Sequence, residues 1–191
     1  MDAITLDLAP FIQMTDDQFF ELCQHHRDYR FERNAAGALI IMSPAGGETS
    51  RRNLSIAGQL YQWNQRCKLG IAFDSSGGFK LPNGADRSPD ASWLTLERWQ
   101  ALTLAERQKF LPLCPDFVVE LRSPSDSLTK LQEKMQEYMA SGARLGWLID
   151  PQGQQVEIYR LGQLPEVLIS PAVLLGEDVL SDFELDLSDI L

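Results

Sequence analysis

The strongest restriction on the fold comes from the segment Phe117–Arg122, whose sequence FVVELR is apolar on both sides of a single carboxylate. Its β-branched valines and nearly continuous apolar character predict a central strand that is covered on both faces. Because side chains alternate along a strand, Glu120 is expected on the same side as Asp116 and Arg122. A carboxylate inside such a strand is costly unless a neighbour neutralises it, so Glu120 requires an explanation.

A second acid, Asp90, raises the same question because it begins another short predicted strand, Asp90–Leu94. Two carboxylates on neighbouring strands repel each other, and one of them tends to keep its proton. A divalent cation between Asp90 and Glu120 removes this conflict, and hard oxygen ligands favour Mg²⁺ or Mn²⁺. The alternative is a set of structural ion pairs, in which Glu120 would face Arg122 or Lys134.

The remaining pattern alternates between helices and strands, which predicts a mixed β-sheet flanked by α-helices in an α/β fold. Thr15 and Gln18 are typical of a capping box, whereas Gly70 and Gly142 are typical of helix ends. The predicted helices cover residues 15–29, 48–68, 96–110 and 123–141. The predicted strands are a hairpin around residues 34–37, then 71–74, 78–81, 90–94, 117–122, 145–150 and 156–160, with one strand and a short helix after Gly162.

Length and composition favour a single domain over residues 1–191, with enough chain for one buried core. No apolar run approaches the roughly 20 residues that cross a bilayer, and the N-terminus lacks the pattern of a secretory signal. Three cysteines far apart are typical of a reducing compartment, so we expect a cytoplasmic protein. The only histidines, His25 and His26, are adjacent and make a poor metal pair, which argues against zinc.

The net charge of −10 argues against strong non-specific DNA binding, because phosphate contacts need lysine and arginine. Seven of the 27 acids follow Arg160, in an acidic C-terminal extension of about residues 161–191 that contains no lysine or arginine. The remaining 160 residues carry 20 acids and 17 bases, a net charge of −3. This part of the chain is nearly neutral and could still carry a local basic groove.

Pro89-Asp90 is followed, after 29 further residues, by Glu120-Leu121-Arg122. This arrangement resembles the PD-(D/E)XK nuclease signature, with arginine in the lysine position. From about residue 14 to residue 160, the chain also resembles a large, cyanobacteria-rich family of restriction-endonuclease-like proteins. Several blocks in one order carry this likeness: SPAGGETSRRN, FDSSGGFKLPNG, RSPDASW, CPDFVVELRSPSD, KLQEKMQEYMASGARLGWLIDP and VEIYR.

The resemblance implies that Asp90 and Glu120 are metal ligands and that Glu48 touches the metal through water. It also implies that Lys134, on the helix after the glutamate, replaces the missing lysine of the signature. Each role has an alternative: Lys134 could form ordinary surface pairs within its helix, and Glu48 could complement the positive helix end. Arg122 could clamp a phosphate but cannot act as a base, because a guanidinium stays protonated.

The resulting expectation is a Mg²⁺-dependent endonuclease that hydrolyses DNA phosphodiester bonds, with Mn²⁺ as an alternative ion. The resemblance further implies a homodimer that reaches both DNA strands. A second hypothesis is a catalytically inactive protein of the same fold that binds nucleic acid or a protein. A hydrolase of another phosphodiester would use the same residues, and the sequence does not separate it from a nuclease.

Overall fold

The computed structural model describes residues 3–8 and 11–191; residues 1, 2, 9 and 10, which belong to the predicted domain, lie outside this range. Its helices are α1 (Asp16–His25), α2 (Gly47–Cys67), α3 (Leu96–Ala101), α4 (Leu104–Arg107) and α5 (Leu128–Ala140). Its strands are β1 (Ile4–Leu6), β2 (Arg30–Arg33), β3 (Leu39–Met42), β4 (Gly70–Asp74), β5 (Phe79–Lys80), β6 (Asp86–Arg87), β7 (Ala91–Thr95), β8 (Phe117–Leu121), β9 (Leu145–Asp150), β10 (Gln155–Arg160), β11 (Glu166–Ile169), β12 (Val173–Leu175) and β13 (Glu184–Asp186).

A six-stranded mixed sheet, with the order β11-β10-β9-β8-β7-β4, forms the centre of the fold. Strands β8 and β9 pair in parallel and the other neighbours pair antiparallel. Every residue of β8 is buried, which confirms the predicted central strand. The predicted alternation is confirmed as well, because Phe117, Val119 and Leu121 pack in one apolar cluster whereas Val118 packs in another. Helix α2 packs on the first side and α5 on the second.

A five-stranded sheet, with the order β1-β3-β2-β6-β5, lies beside the central sheet and packs against α1. The predicted hairpin is present as β2 and β3. Thr15 makes both bonds of the predicted capping box with Gln18. Strand β6 falls between the predicted strands over residues 78–81 and 90–94, because a strand of two residues has no measurable alternation.

Several predicted helix limits are wrong, and local hydrogen bonds explain the differences. The first helix ends at His25, four residues earlier than expected. The second agrees with its predicted range to within one residue, although Lys68 in the left-handed conformation ends it instead of Gly70. The predicted helix over residues 96–110 divides into α3 and α4, because Thr103 caps a new helix. The helix predicted from Ser123 begins after Ser127, and Asp126 instead accepts a bond from the Ser123 amide.

The acidic segment after residue 160 is part of the core, and the short helix expected there is wrong. Its regular elements among the described residues are β11, β12 and β13. Phe183 packs against Trp63 and stacks on Trp147 of the central sheet, at centroid distances of 5.4 and 6.0 Å. Acids alternate with buried Leu185 and Leu187, so the negative charges face outward. Among the described residues, no helix combines the length and apolar character needed to cross a membrane.

Candidate active site

Two carboxylates on adjacent strands form the centre of the candidate site. Strands β7 and β8 pair antiparallel with Ala91 opposite Val119, which brings the preceding Asp90 beside Glu120 and Leu121. The Leu121 amide donates to Asp90 Oδ2 at 2.9 Å. Both carboxylates line one cavity of about 470 Å³. The fold therefore places both acids in one cavity, although 29 residues separate them in the sequence.

Helix α5 supplies two polar groups to Glu120 from residues one turn apart. Lys134 Nζ lies 2.8 Å from Glu120 Oε1, and the Tyr138 hydroxyl donates to the same oxygen at 3.0 Å. Residues four positions apart lie on one face of a helix, so Lys134 and Tyr138 can share this acceptor. The ammonium of Lys134 also donates to Glu32 Oε1 of β2 at 2.8 Å. Lys134 thus joins the two sheets at the cavity wall.

The two carboxylates are unfavourable neighbours when both are ionised. Burial raises the pKa of Glu120 to about 7; Lys134 opposes this rise and the nearby Asp90 adds to it. Burial also raises the pKa of Asp90, although the bond from the Leu121 amide opposes the rise. Removal from water disfavours the charged form of any carboxyl group. The cavity therefore holds negative charge that its own cations do not fully compensate.

The pKa shifts of Lys134 and Glu32, unlike those of the two acids, favour the charged form of each group, since each has strong partners of opposite charge. Burial would lower the pKa of Lys134, but the carboxylates of Glu120 and Glu32 outweigh it and raise that pKa. Burial would raise the pKa of Glu32, but Lys134 and Arg87 outweigh it and lower that pKa. These contacts favour the protonated, cationic form of Lys134.

Glu48 and Arg122 occupy different positions relative to the cavity. Glu48 lies in the first turn of α2 and lines the cavity, but its side chain is 59% exposed and pairs with Arg51 at 2.7 Å. That hydrogen bond lowers the pKa of Glu48. Arg122 follows the end of β8 and directs its guanidinium to Asp150 Oδ2 at 2.9 Å. Lys134 thus lines the cavity, whereas Arg122 forms an ion pair with Asp150 outside its lining.

Three further side chains contact the residues of this site and were not expected from the sequence: Arg30, Glu32 and Asn53. Asn53 donates to Asp90 Oδ1 at 3.1 Å, and Arg30 Nη1 lies 4.0 Å from the same oxygen. A signal existed for Glu32, because it lies in a predicted strand beside an apolar residue, as Glu120 does. The partners themselves come from distant parts of the chain, which spacing does not reveal.

The donor set at the cavity suits a hard divalent cation, although it is sparse. No group of three or more histidine, cysteine, aspartate or glutamate side chains among the described residues is arranged to hold a metal. The amide oxygen of Asn53, however, is buried at the cavity without a hydrogen-bond partner. Two carboxylates and an amide oxygen are ligands that Mg²⁺ and Mn²⁺ accept, with water completing the coordination. The residues present therefore fit such an ion.

The charges along the cavity do not form the local basic groove that the sequence allowed. The acids that line it are Glu48, Asp90, Glu120 and Asp126, and the bases are Arg30 and Lys134. A polyanion would meet net repulsion here unless cations are added. Bound divalent ions would reduce this repulsion, which agrees with the donor set.

Comparison with known proteins agrees with the fold described above. A crystal structure from Anabaena variabilis, described as a "putative nuclease belonging to DUF820", is similar with a TM-score of 0.75 at 23% identity. The similarity covers 92% of this chain and 96% of that one. The comparison with curated proteins gives no match. The fold is thus of the restriction-endonuclease-like α/β class. Residues 16–188 match the profile of the Uma2 family, described as "Putative restriction endonuclease", and the chain belongs to that family.

Proposed function

We propose that this protein is a metal-dependent endonuclease of the PD-(D/E)XK type that hydrolyses DNA phosphodiester bonds. The observation that carries the proposal is the convergence of Asp90, Glu120 and Lys134 at one cavity, with Glu120 and Lys134 in contact at 2.8 Å. Asp90 and Glu120 would hold Mg²⁺ or Mn²⁺. A purely structural ion pair would require only Lys134 and Glu120. The added acid Asp90 gives the site an excess of negative charge that a divalent ion offsets.

Each group has a defined task in this proposal. A bound ion would supply Lewis-acid chemistry, polarising the phosphodiester and activating water. Lys134 is held protonated by two carboxylates, so its ammonium stabilises negative charge that develops on the phosphate. Asn53 fixes the Asp90 carboxylate through its amide nitrogen, and Leu121 does so through its backbone amide. Glu48, at the rim of the cavity, would hold an outer water molecule.

The proposal is tested by incubating supercoiled plasmid with Mg²⁺ or Mn²⁺ and the wild-type protein. The isosteric variant Glu120→Gln, purified in the same way, is the matched control, since it removes a metal ligand while keeping an acceptor for Lys134 and Tyr138. Glu184→Gln makes the same change at an exposed acid of β13 and should cleave like the wild type. We expect nicked and linear products with wild type and Glu184→Gln only. Equal cleavage by Glu120→Gln would mean contamination and would remove support for the proposal.

A second candidate function has one observation in its favour: the cavity and the whole chain carry more acids than bases. A catalytically inactive binding module with the same fold would not need to hold a DNA backbone at this cavity. Absence of cleavage by the wild type with either ion, together with retained binding of a DNA fragment or a protein, would favour this reading. Cleavage by the wild type that depends on Glu120 would exclude it.

A further inference from the structure

Glu32 is a buried acid that the proposed chemistry does not itself require. It lies on β2 of the five-stranded sheet, whereas Glu120 lies on β8 of the central sheet. The side chain of Glu32 is 3% exposed, and each of its oxygens has a donor. Oε1 accepts from Lys134 at 2.8 Å and from the Ser88 amide at 3.0 Å, and Oε2 accepts from Arg87 at 3.0 Å. The carboxylate is therefore fixed from three directions.

Arg87 extends this arrangement away from the cavity. Its Nε donates to Glu137 Oε2 at 2.6 Å, while its Nη1 holds Glu32. The result is a chain of alternating charges, Glu137–Arg87–Glu32–Lys134–Glu120, that ends at the proposed metal ligand. A bare carboxylate at the position of Glu32 would be costly, so Arg87 and the Ser88 amide stabilise it independently of Lys134.

Lys134 needs such support because its side chain is long and flexible. A lysine ammonium on a four-carbon stem loses rotamer freedom when it is held in one place. Two carboxylates at 2.8 Å, one on each sheet, define its position. If Glu120 binds a metal ion, its attraction for the Lys134 ammonium weakens. Glu32 does not line the cavity and is not a proposed metal ligand, so its attraction for the ammonium is unchanged. Glu32 is then the partner that keeps the ammonium in the cavity.

On the basis of the proposed function, we infer that Glu32 is a positioning residue: it holds the Lys134 ammonium beside Glu120 and acts on catalysis only through Lys134. A purely structural role, in which the charge chain simply joins the two sheets, would act through stability instead. The two roles differ in how the effects of mutations at Glu32 and Lys134 combine. Residues that act as one unit give non-additive effects in a double-mutant cycle.

The cycle uses wild type, Glu32→Gln, Lys134→Met and the double variant, with kcat and KM measured on a DNA duplex at saturating Mg²⁺. We expect Glu32→Gln to lower kcat by about 10- to 100-fold with little change in KM. In the Lys134→Met background, the same change should alter kcat by less than about twofold. Equal losses in both backgrounds would overturn the inference.

Glu157→Gln is the matched control for this cycle. Glu157 is buried like Glu32, and it accepts a bond at 2.7 Å from Gln132, which lies two residues before Lys134 on α5. Glu157→Gln should therefore disturb the same helix. Because Glu157 contacts Gln132 and not Lys134, kcat should stay unchanged. An equal loss of kcat in Glu157→Gln and Glu32→Gln would show a general structural effect and would also overturn the inference.

A readout without cleavage separates this inference from the proposed function. In protein labelled with ¹⁵N-lysine, the Lys134 ammonium should give a signal protected from solvent exchange, assigned by its loss in Lys134→Met. Glu32→Gln should shift or broaden this signal, whereas Glu157→Gln should not. An unchanged signal in Glu32→Gln would refute the positioning role even in an active nuclease. A shifted signal in a protein that does not cleave DNA would refute only the proposed function.

Discussion

Glu120→Gln is expected to stabilise the protein at alkaline pH when no divalent ion is present. The folded pKa of Glu120 is about 7, whereas an unfolded glutamate has its ordinary value near 4.5. Between these values the folded protein keeps a proton that the unfolded chain has released. The free energy of unfolding therefore falls as the pH rises through this interval. Glutamine carries no charge and lacks this penalty.

The size of the effect follows from that interval. Each pH unit across it lowers the free energy of unfolding by about 1.4 kcal/mol, so the full interval corresponds to about 3 kcal/mol. Glutamine keeps an oxygen that can accept from Lys134 and Tyr138, so little of the gain should be lost through broken hydrogen bonds. Repulsion from Asp90 is already included in the raised pKa of Glu120 and adds nothing further to this value.

Urea unfolding of both proteins near pH 5 and near pH 8.5, in the presence of a chelator, measures the effect. The variant should gain stability relative to the wild type by about 2–3 kcal/mol between the two pH values. Glu184→Gln, at an exposed acid, should follow the wild type at both. Addition of Mn²⁺ at the higher pH should stabilise the wild type much more than Glu120→Gln. An equal change in the free energy of unfolding of wild type and Glu120→Gln between the two pH values would refute the reasoning.

Three other predictions concern the remaining parts of the account. Lys134→Ala should lower DNA cleavage by at least about 100-fold. Arg122→Ala should lower the melting temperature and leave cleavage per folded molecule within about threefold of the wild type. The reverse ranking of the two variants would favour Arg122 as the catalytic cation. Phe183→Ala should cost about 3–5 kcal/mol in urea unfolding, because the ring packs on Trp63 and Trp147; a neutral effect would show that the C-terminal segment is not part of the core. Lys68→Gly should stabilise by about 0.5 kcal/mol, since Lys68 has a φ of 54°; destabilisation would contradict the strain argument.

The features that the sequence predicted well depend on strong local patterns. The nearly continuous apolar run with β-branched valines in Phe117–Leu121 predicted a buried central strand, and the structure confirms it. Thr15 and Gln18 predicted a capping box that forms with both of its bonds. These signals need no information about distant residues, because the side chains involved are neighbours on one element. The restriction-endonuclease-like fold class followed from the ordered blocks, and the comparisons confirm it.

The features that the sequence did not predict depend on competition or on distance along the chain. Ser123 and Ser127 are both suitable helix caps; the helix begins after Ser127, while the Ser123 amide donates to Asp126 in the preceding turn. Glu32 reaches Lys134 across 102 residues and between two sheets, so no spacing rule could find it. The roles of Asp90, Glu120, Glu48 and Lys134 stay predictions, as do the homodimer and the cytoplasmic location.

The central claim is that Asp90 and Glu120 lie side by side because they bind one divalent ion. A crystal of the protein soaked in Mn²⁺ tests it most directly through anomalous scattering. The account predicts one strong anomalous peak within coordination distance, about 2.0–2.3 Å, of an oxygen from each of the two carboxylates. The same soak of Asp90→Asn/Glu120→Gln crystals should give no peak there. An empty wild-type site at saturating Mn²⁺, with Lys134 still in contact with Glu120, would contradict the account.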